Sequence, residues 1–355
     1  MNYQIFKEHF VEDVKRRLYE KGAGDIEITV TQVDKVNESY EALCVYPEEG
    51  NMCANFHLEN YFATYSEGYH YQSVVAKAVK DIEEFINDVP SFDLDIIRDY
   101  GQVKERLSLE VVSAERNAEV LEFVPHKLIE DMAIVYRINL DSGLNASGSV
   151  VVNDLMLETY GISLEQLHED AKRNAAIIKP ALIKGMNQTL HEMMSEEELE
   201  LFGVSDALDE VMYVATVPNK IKGASVLAYD KFMDYAAQKL GGDFFVLPSS
   251  LHEIILVKDD GNAQYEALQE MVKDINATEV LPEDKLTDSV YHYDSKNKIF
   301  ELAEKFEARK NQELTATKGS VIKDLKEKQV ASGERSVHAK EDKKPVSKNL
   351  GGEVL

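Results

Sequence analysis

Short connections separate the segments of this sequence that predict β-strands, and they constrain the fold more than any other feature. The segments VMYVATV and ASVLAY predict two neighbouring strands, followed by a helix that Asp230 caps. The segments FFVLP and EIILV predict two more strands, followed by a helix over about 263–275. Strands joined by a few residues pair antiparallel, because a parallel pair needs a crossover of roughly a dozen residues or more. The sequence therefore predicts an α+β fold in which helices pack on one face of antiparallel sheets.

The first 90 residues predict a subdomain that begins and ends with a helix. Apolar residues at helical spacing predict the first helix over 3–21, and the last covers about 71–87. Between them, IEITVTQV and YEALCVY alternate apolar and polar residues as half-buried strands do, and residues 52–58 predict a third strand. We therefore expect a unit of helix, strands and helix over residues 1–90.

Residues 91–310 predict a second, larger α+β domain, which contains the segments TVPNKIKGA and LPSSLHE. Its other predicted strands are residues 102–112, MAIVYRINL, GSVVVND and SVYHY. Ser163 and Gln166 form a capping box, which predicts a helix to about Ile178. A further helix is expected between Pro180 and Met194, and another over about 297–310.

The composition changes after Lys310, where aromatic residues no longer occur. Residues 311–355 contain nine Lys/Arg and seven Asp/Glu. We expect a disordered charged tail, because such a segment buries too little apolar area to offset its ordering entropy. Within the tail, Ser320 begins a possible short helix over 320–329. That helix is marginal alone and would fold on a partner, or the whole tail serves only solubility.

The negative charge lies in the predicted folded body. Subtracting the tail from the totals of 39 basic and 65 acidic residues leaves 30 and 58 in residues 1–310, a net charge of −28. Such a body repels nucleic-acid phosphates and anionic membranes, so a cationic protein is the expected partner. The chain has no apolar segment long enough for a membrane helix, no secretory signal and only two cysteines, Cys44 and Cys53, which predicts a cytoplasmic protein.

Several segments resemble a family of uncharacterised bacterial proteins, known only as a domain of unknown function and common in anaerobic Gram-positive gut bacteria. The resemblance covers roughly residues 1–310. It is carried by Thr-x-x-Asn-Lys-x-x-Gly-Ala from Thr216 to Ala224, by Leu-Pro-Ser-Ser-x-His-Glu from Leu247 to Glu253, and by VPHKLIEDMAIVY and YGISLEQLHEDAKRN. Tyr160 stands where the family has Trp. The resemblance implies a family and no activity.

The segment Pro248–Glu253 is the strongest candidate for catalysis. Ser249 or Ser250 would supply a nucleophile, His252 a base and Glu253 an orienting acid. Against this, neighbouring residues on a strand point to opposite faces, and the elbow Gly-x-Ser-x-Gly is absent. The alternative is a tight turn in which the serine hydroxyls bond backbone groups.

Other candidate sites carry less specific signals. Asn219 and Gly223 of TVPNKIKGA and Asn174 near a helix end are candidate ligand-binding residues, although Asn174 can instead cap its helix. The aromatic segment FHLENYFATYSEGYHYQ would line a ligand pocket or form core. The chain has no second His for a zincin motif, no zinc-spaced Cys pair and no phosphate-binding glycine loop, so we expect no metal and no cofactor.

Three functions are compatible with these patterns. The first is a non-enzymatic binding or regulatory protein that acts through its acidic α+β body. The second is a hydrolase that uses Ser249 or Ser250 with His252 and Glu253. The third is a DNA-mimicking inhibitor carried by a mobile element, in which the seven carboxylates of 195–210 imitate phosphates. Its support includes SVIKDLKEK, which is similar to the ends of proteins of mobile elements.

Overall fold

The computed structural model describes residues 1–23, 26–48, 52–89, 93–142, 146–201, 210–261, 263–313 and 315. Contacts divide the chain into two compact units, Met1–Phe300 and Glu301–Leu355. The subdomain boundary predicted at residue 90 lies outside the described residues, as does the predicted tail from residue 316, including its helix over 320–329. The described part of the second unit contains a helix over residues 303–313, in which Arg309 bonds Glu301.

Three helices and a three-stranded sheet enclose an apolar core in the N-terminal region. Helix α1 (Tyr3–Glu20) begins where the Asn2 side chain accepts a hydrogen bond from the Ile5 amide, and its apolar residues, four apart, are buried. The other elements of this region follow in chain order: β1 (Glu27–Lys35), β2 (Glu38–Tyr46), β3 (Ala54–His57), α2 (Leu58–Ser66) and α3 (Tyr71–Asn87). The strands pair antiparallel in the order β1-β2-β3. Aromatic side chains of α2 pack in this core, so the aromatic segment forms core.

A second antiparallel sheet follows, with strand order β4-β6-β5 and β7 paired with β6. Its strands are β4 (Leu107–Ser113), β5 (His126–Ile129), β6 (Met132–Ser142) and β7 (Ala146–Val151). The helices of this region are α4 (Tyr100–Val103), α5 (Ala118–Leu121), α6 (Asp154–Tyr160) and α7 (Leu164–Ile178), with 3-10 helices at Leu94–Arg98 and Lys104–Arg106. Every residue of β4 is buried, because α7 and a 3-10 helix from the next region both pack against it.

The third sheet has six strands in the order β13-β12-β10-β11-β9-β8. They are β8 (Leu182–Gly185), β9 (Met212–Thr216), β10 (Phe244–Leu247), β11 (Ile254–Lys258), β12 (Tyr291–Asp294) and β13 (Ile299–Leu302). The helices between them are α8 (Met186–Met193), α9 (Glu196–Leu201), α10 (Phe232–Leu240) and α11 (Tyr265–Thr278), with 3-10 helices at Gly223–Ala228 and Pro282–Asp284. From β8 to β12 all neighbours are antiparallel, and the predicted α+β class is confirmed.

One predicted strand is wrong in a way that matters for the site. The segment ASVLAY lies in the 3-10 helix Gly223–Ala228, whose first five residues are all buried. A short apolar run that is buried on all sides has the same pattern in a strand and in a helix, so periodicity could not separate them. Asp230 does not cap the next helix either: Lys231 precedes α10 in the left-handed region, and Asp230 instead pairs with Lys172 at 2.6 Å.

Other differences concern one strand boundary and two short strands, β8 and β13, that the sequence did not predict. The strand predicted over 102–112 begins only at Leu107, after α4 and a 3-10 turn. The helix predicted after Pro180 is preceded by β8, and the helix predicted over 297–310 is preceded by β13. Both strands have only four residues, too few to show an alternating pattern.

Candidate functional site

The segments TVPNKIKGA and LPSSLHE meet at His252. Its carbonyl accepts hydrogen bonds from the Thr216 hydroxyl (2.7 Å) and the Gly223 amide (3.1 Å). Its ring atom Nδ1 accepts one from the Lys222 amide at 3.2 Å. A Cβ at Gly223 would lie 2.2 Å from both the His252 carbonyl and the Thr216 hydroxyl, so only glycine permits this approach. We call these contacts the His252 junction.

Both ring nitrogens of His252 are engaged in this junction. Because Nδ1 accepts a backbone N–H, the ring proton is assigned to Nε2, which donates to Asp284 Oδ1 at 2.9 Å. Ser250 Oγ accepts from the His252 amide at 3.0 Å and lies in a local turn, while the Ser249 carbonyl accepts from the Leu286 amide at 3.1 Å. In this conformation neither ring nitrogen is available to a serine hydroxyl.

Glu253 lies away from the imidazole contacts and lines a different cavity. That cavity has a volume of about 350 Å³. It is also lined by Thr216, Lys220, Val214, Val217 and the Lys184–Glu192 ion pair (2.6 Å). The structure therefore brings Ser250 and His252 together through the backbone and places Glu253 on a neighbouring groove.

The predicted ligand-binding residues make contacts within the chain. Asn219 Oδ1 accepts from the Ile221 amide at 3.2 Å and shapes the turn before Lys222. Gly223 belongs to the His252 junction. Asn174 donates from Nδ2 to the Lys104 carbonyl, which fastens α7 to the 3-10 helix before β4. These contacts account for the three residues without a ligand.

The same turn delivers Lys222 to a buried carboxylate. Lys222 has a φ of 58°, in the left-handed region, and its Nζ lies 2.7 Å from Oε1 of Glu110. Oε2 of Glu110 contacts Nε of Arg137. Glu110 pairs with Val135 across the sheet, so Arg137, two residues further along β6, lies on the same sheet face.

We call Glu110, Arg137 and Lys222 the Glu110 cluster. It combines two cationic groups with one carboxylate, and the Glu110 side chain is only 1% exposed. The charges of Glu110 and Arg137 also affect the pKa of Lys179, directly after α7.

Burial and charge act in opposite directions on Glu110. Burial raises the pKa of Glu110, but the nearby charges and hydrogen bonds of Arg137 and Lys222 outweigh it, so the pKa lies below its ordinary value. Glu110 is therefore ionised at neutral pH.

Both lysines are destabilised as cations. Burial is the largest cause that lowers the pKa of Lys179, and the charge of Arg137 lowers it further, although Glu110 raises it. The pKa of Lys222 is lowered by burial and then by Arg137 and Lys179, against the opposing effect of Glu110. The single carboxylate of Glu110 therefore pairs with two partly exposed cations, Arg137 and Lys222.

The sequence contained two signals for this cluster. Glu110 is the single charged residue of LSLEVVS, the segment that forms β4, and Arg137 is the single charged residue of the predicted strand MAIVYRINL. An isolated charge in a buried strand needs a partner. Lys222 carries no such signal, because it lies in the polar segment TVPNKIKGA before Gly223. The convergence of the three residues depends on tertiary packing.

A larger cavity lies at a different place, next to Asp131. It has a volume of about 630 Å³ and is lined by polar residues that include Arg116, Asn276 and Lys285. Asp131 accepts hydrogen bonds from the hydroxyls of Thr287 (2.9 Å), Ser289 (3.0 Å) and Tyr291. Its carboxylate is thus already occupied by three donors and serves to hold this wall of the cavity.

The described residues contain neither a metal-binding group of side chains nor a helix that could span a membrane. No group of three or more His, Cys, Asp or Glu side chains in this part of the chain is arranged to hold a metal ion. None of the described helices is both long and apolar enough to cross a membrane.

Comparison with known proteins gives a family and no activity. No curated protein and no solved structure shows significant similarity to the chain. The sequence profile of the family of unknown function DUF5688 matches residues 3–295. That match confirms the resemblance to uncharacterised proteins seen in TVPNKIKGA and LPSSLHE, and the chain belongs to this family of unknown function.

Proposed function

We propose that the chain is a non-enzymatic binding or regulatory protein of the cytoplasm, which presents an acidic surface to a cationic protein partner. The observation that carries this proposal is the net charge of −28 on residues 1–310. Excess charge of one sign raises the rate at which oppositely charged partners associate and repels like-charged ones. The free thiols of Cys44 and Cys53 agree with a reducing compartment.

Helix α9 is the best described part of this acidic surface. Glu196, Glu197 and Glu198 lie in its first turn and are exposed. Glu198 and Ser195 cap the helix reciprocally, since the Ser195 amide donates to Glu198 Oε2 at 2.8 Å and the Glu198 amide donates to Ser195 Oγ at 3.4 Å. Glu196 and Glu197 are free of this capping role and can be neutralised without removing it.

The contacts of His252 favour binding over hydrolysis. A general base must present a ring nitrogen to the nucleophile's proton. Here the two nitrogens bond the Lys222 amide and Asp284, which supports a positioning role for His252. Hydrolysis is the alternative function, and the experiment must distinguish it from binding.

The test compares two double variants of the full chain. Glu196→Gln with Glu197→Gln removes two charges from α9, and Glu266→Gln with Glu270→Gln removes two from exposed positions of α11. Each protein is used for chemical crosslinking and quantitative capture in its native host at low and high salt. We expect a basic protein that wild type and the α11 variant recover at low salt, and that the α9 variant recovers less.

Identical recovery by all three proteins at both salt concentrations would overturn the proposed acidic surface on α9. Recovery of a DNA-binding enzyme that duplex DNA displaces would support the DNA-mimicking alternative; residues 202–209 of its acidic stretch lie outside the described part of the chain. Ester or peptide hydrolysis that disappears in His252→Ala but not in Glu266→Gln would support the hydrolase instead.

A further inference from the structure

A groove beside β8, an edge strand of the six-stranded sheet, combines apolar and charged side chains. It is the cavity of about 350 Å³ that Glu253 lines, and small-molecule sites typically have roughly 300–1,000 Å³. Lys184 of β8 pairs with Val214 of β9, so their side chains lie on one face of the sheet. Helix α8, which follows β8, contributes Thr189, Glu192 and Met193. The groove therefore has the size and the mixed lining of a site for a small molecule.

Part of the apolar lining of this groove is open to solvent. Val214 and Val217 are buried, whereas Leu182 and Met193 are 39% and 71% exposed. All four residues line the same cavity. A ligand that covers such surface removes it from water, which favours binding. The lining thus suits a ligand with an apolar group.

Most polar groups of the groove are already used by contacts within the chain. Both carboxylate oxygens of Glu192 accept from Lys184 Nζ, at 2.6 and 2.9 Å. The hydroxyl of Thr216 donates to the His252 carbonyl at 2.7 Å, and that of Thr189 donates to a carbonyl of β8 at 2.9 Å. These groups hold the strands and the helix together and do not need a ligand.

Lys220 and Glu253 are different from the other charged residues of the groove. Within the part of the chain that the structure describes, neither side chain has an ion pair or a hydrogen bond, and the two do not pair with each other. Lys220 is exposed and Glu253 is half-buried, so a ligand can reach both. One ammonium and one carboxylate are therefore available in a groove that also offers apolar surface.

We propose that this groove binds a free α-amino acid with an apolar side chain. The carboxylate of the ligand pairs with the Lys220 ammonium, and its ammonium donates to the Glu253 carboxylate. Its side chain packs on Val214 and Met193. A simple carboxylic acid leaves Glu253 unpaired and a simple amine leaves Lys220 unpaired, whereas a zwitterion satisfies both charges. The site is independent of the acidic surface proposed on α9.

The first experiment titrates the full wild-type chain with leucine, methionine, valine and phenylalanine and follows binding by calorimetry. The amino acid that binds best is compared with its amide, which lacks the carboxylate, and with its deaminated acid, which lacks the ammonium. We expect each analogue to bind about tenfold more weakly, because each leaves one charge of the groove unpaired. Glycine should also bind more weakly, because it has no apolar side chain to bury.

Two variants connect these charges to particular residues. Lys220→Met should weaken binding of the amino acid about tenfold and leave the affinity for its amide unchanged, because the amide has no carboxylate to pair with Lys220. Glu253→Gln should likewise weaken binding of the amino acid and leave the affinity for the deaminated acid unchanged. Lys273→Met and Glu270→Gln, at exposed positions of α11, are the matched controls and should change no affinity.

Three results would overturn the proposal. One is that wild type binds none of the four amino acids. Another is that the amide or the deaminated acid binds as tightly as the amino acid, which would mean that the groove does not recognise a zwitterion. The third is an equal loss of affinity in Lys220→Met and Lys273→Met. If a groove variant does not fold, the comparison of the amino acid with its two analogues on wild type decides the matter.

Discussion

The N-terminal core and the Glu110 cluster are built on opposite principles. In the former, Phe6 and Phe10 stack with ring centroids 4.9 Å apart, and the surrounding buried residues are apolar or aromatic. In the latter, Glu110 belongs to a fully buried strand and pairs with Arg137 and Lys222, whose side chains are partly exposed. Apolar burial stabilises a fold directly, whereas a buried ion network typically contributes little and is costly if incomplete. The stability that the two regions contribute should therefore differ in its dependence on pH and salt.

Two buried asparagines link the turn between β1 and β2 to later parts of the chain, and the side-chain amides of both have hydrogen-bond partners. Asn37, in the turn between β1 and β2, donates from its side chain to the Lys285 carbonyl at 3.0 Å. Asn117 donates to Asn37 Oδ1 at 2.6 Å and to the Ser113 carbonyl at 2.7 Å. Both asparagines are buried, so these amides would be costly without partners. A buried polar group with every contact made inside the chain needs no ligand.

The largest effect is expected in the N-terminal core. Phe10→Ala removes a fully buried ring that contacts Phe6 and Tyr61 and should lower the free energy of unfolding by about 4 kcal/mol. Tyr19→Ala, on the same helix at a residue that is 74% exposed, should change it by less than about 0.5 kcal/mol. Urea unfolding of the full chain measures both. If the free energy of unfolding lost in Phe10→Ala depended strongly on pH or salt, the distinction between the two regions would be contradicted.

Glu110→Gln comes next and should be sensitive to pH. At neutral pH it leaves Arg137 and Lys222 without their carboxylate and should cost about 3 kcal/mol. The pKa of Glu110 in the folded protein lies below its ordinary value of 4.5, so the stability from its ionised form is fully present above that value. It is lost as the pH falls through the folded pKa. Wild type and variant should thus converge on acidification, as urea unfolding between pH 7 and 3 measures.

Glu266→Gln is the control for that titration, because Glu266 is exposed on α11. Its stability relative to wild type should be nearly constant over the same pH range. A stability difference between wild type and Glu110→Gln that does not shrink with falling pH would mean that the Glu110 charge contributes nothing to stability.

Local signals in the sequence were sufficient for most helices and strands and insufficient for the site. Ser163 accepts from the Gln166 amide and starts α7 as its capping pattern predicts, and α3 has the expected bounds. ASVLAY failed because its apolar residues are buried on all sides. The His252 junction joins residues about thirty positions apart, and their contact is set by the pairing of β9 with β11. No local pattern carries that information.

The smallest of these effects concerns Gly223, which links the junction to the cluster. Gly223→Ala should cost about 2 kcal/mol, since its Cβ would meet backbone and side-chain oxygen at 2.2 Å and the chain must shift. Gly242→Ala is the control, because a Cβ there would have no heavy atom within 4 Å. The shift at Gly223 also moves the neighbouring Lys222 away from Glu110, so Gly223→Ala should lose part of the pH dependence of stability that their ion pair contributes, as urea unfolding of the two variants between pH 7 and 3 measures. Lost stability with the pH dependence of wild type would separate the junction from the cluster, and would mean that the His252 contacts hold the fold without positioning Lys222.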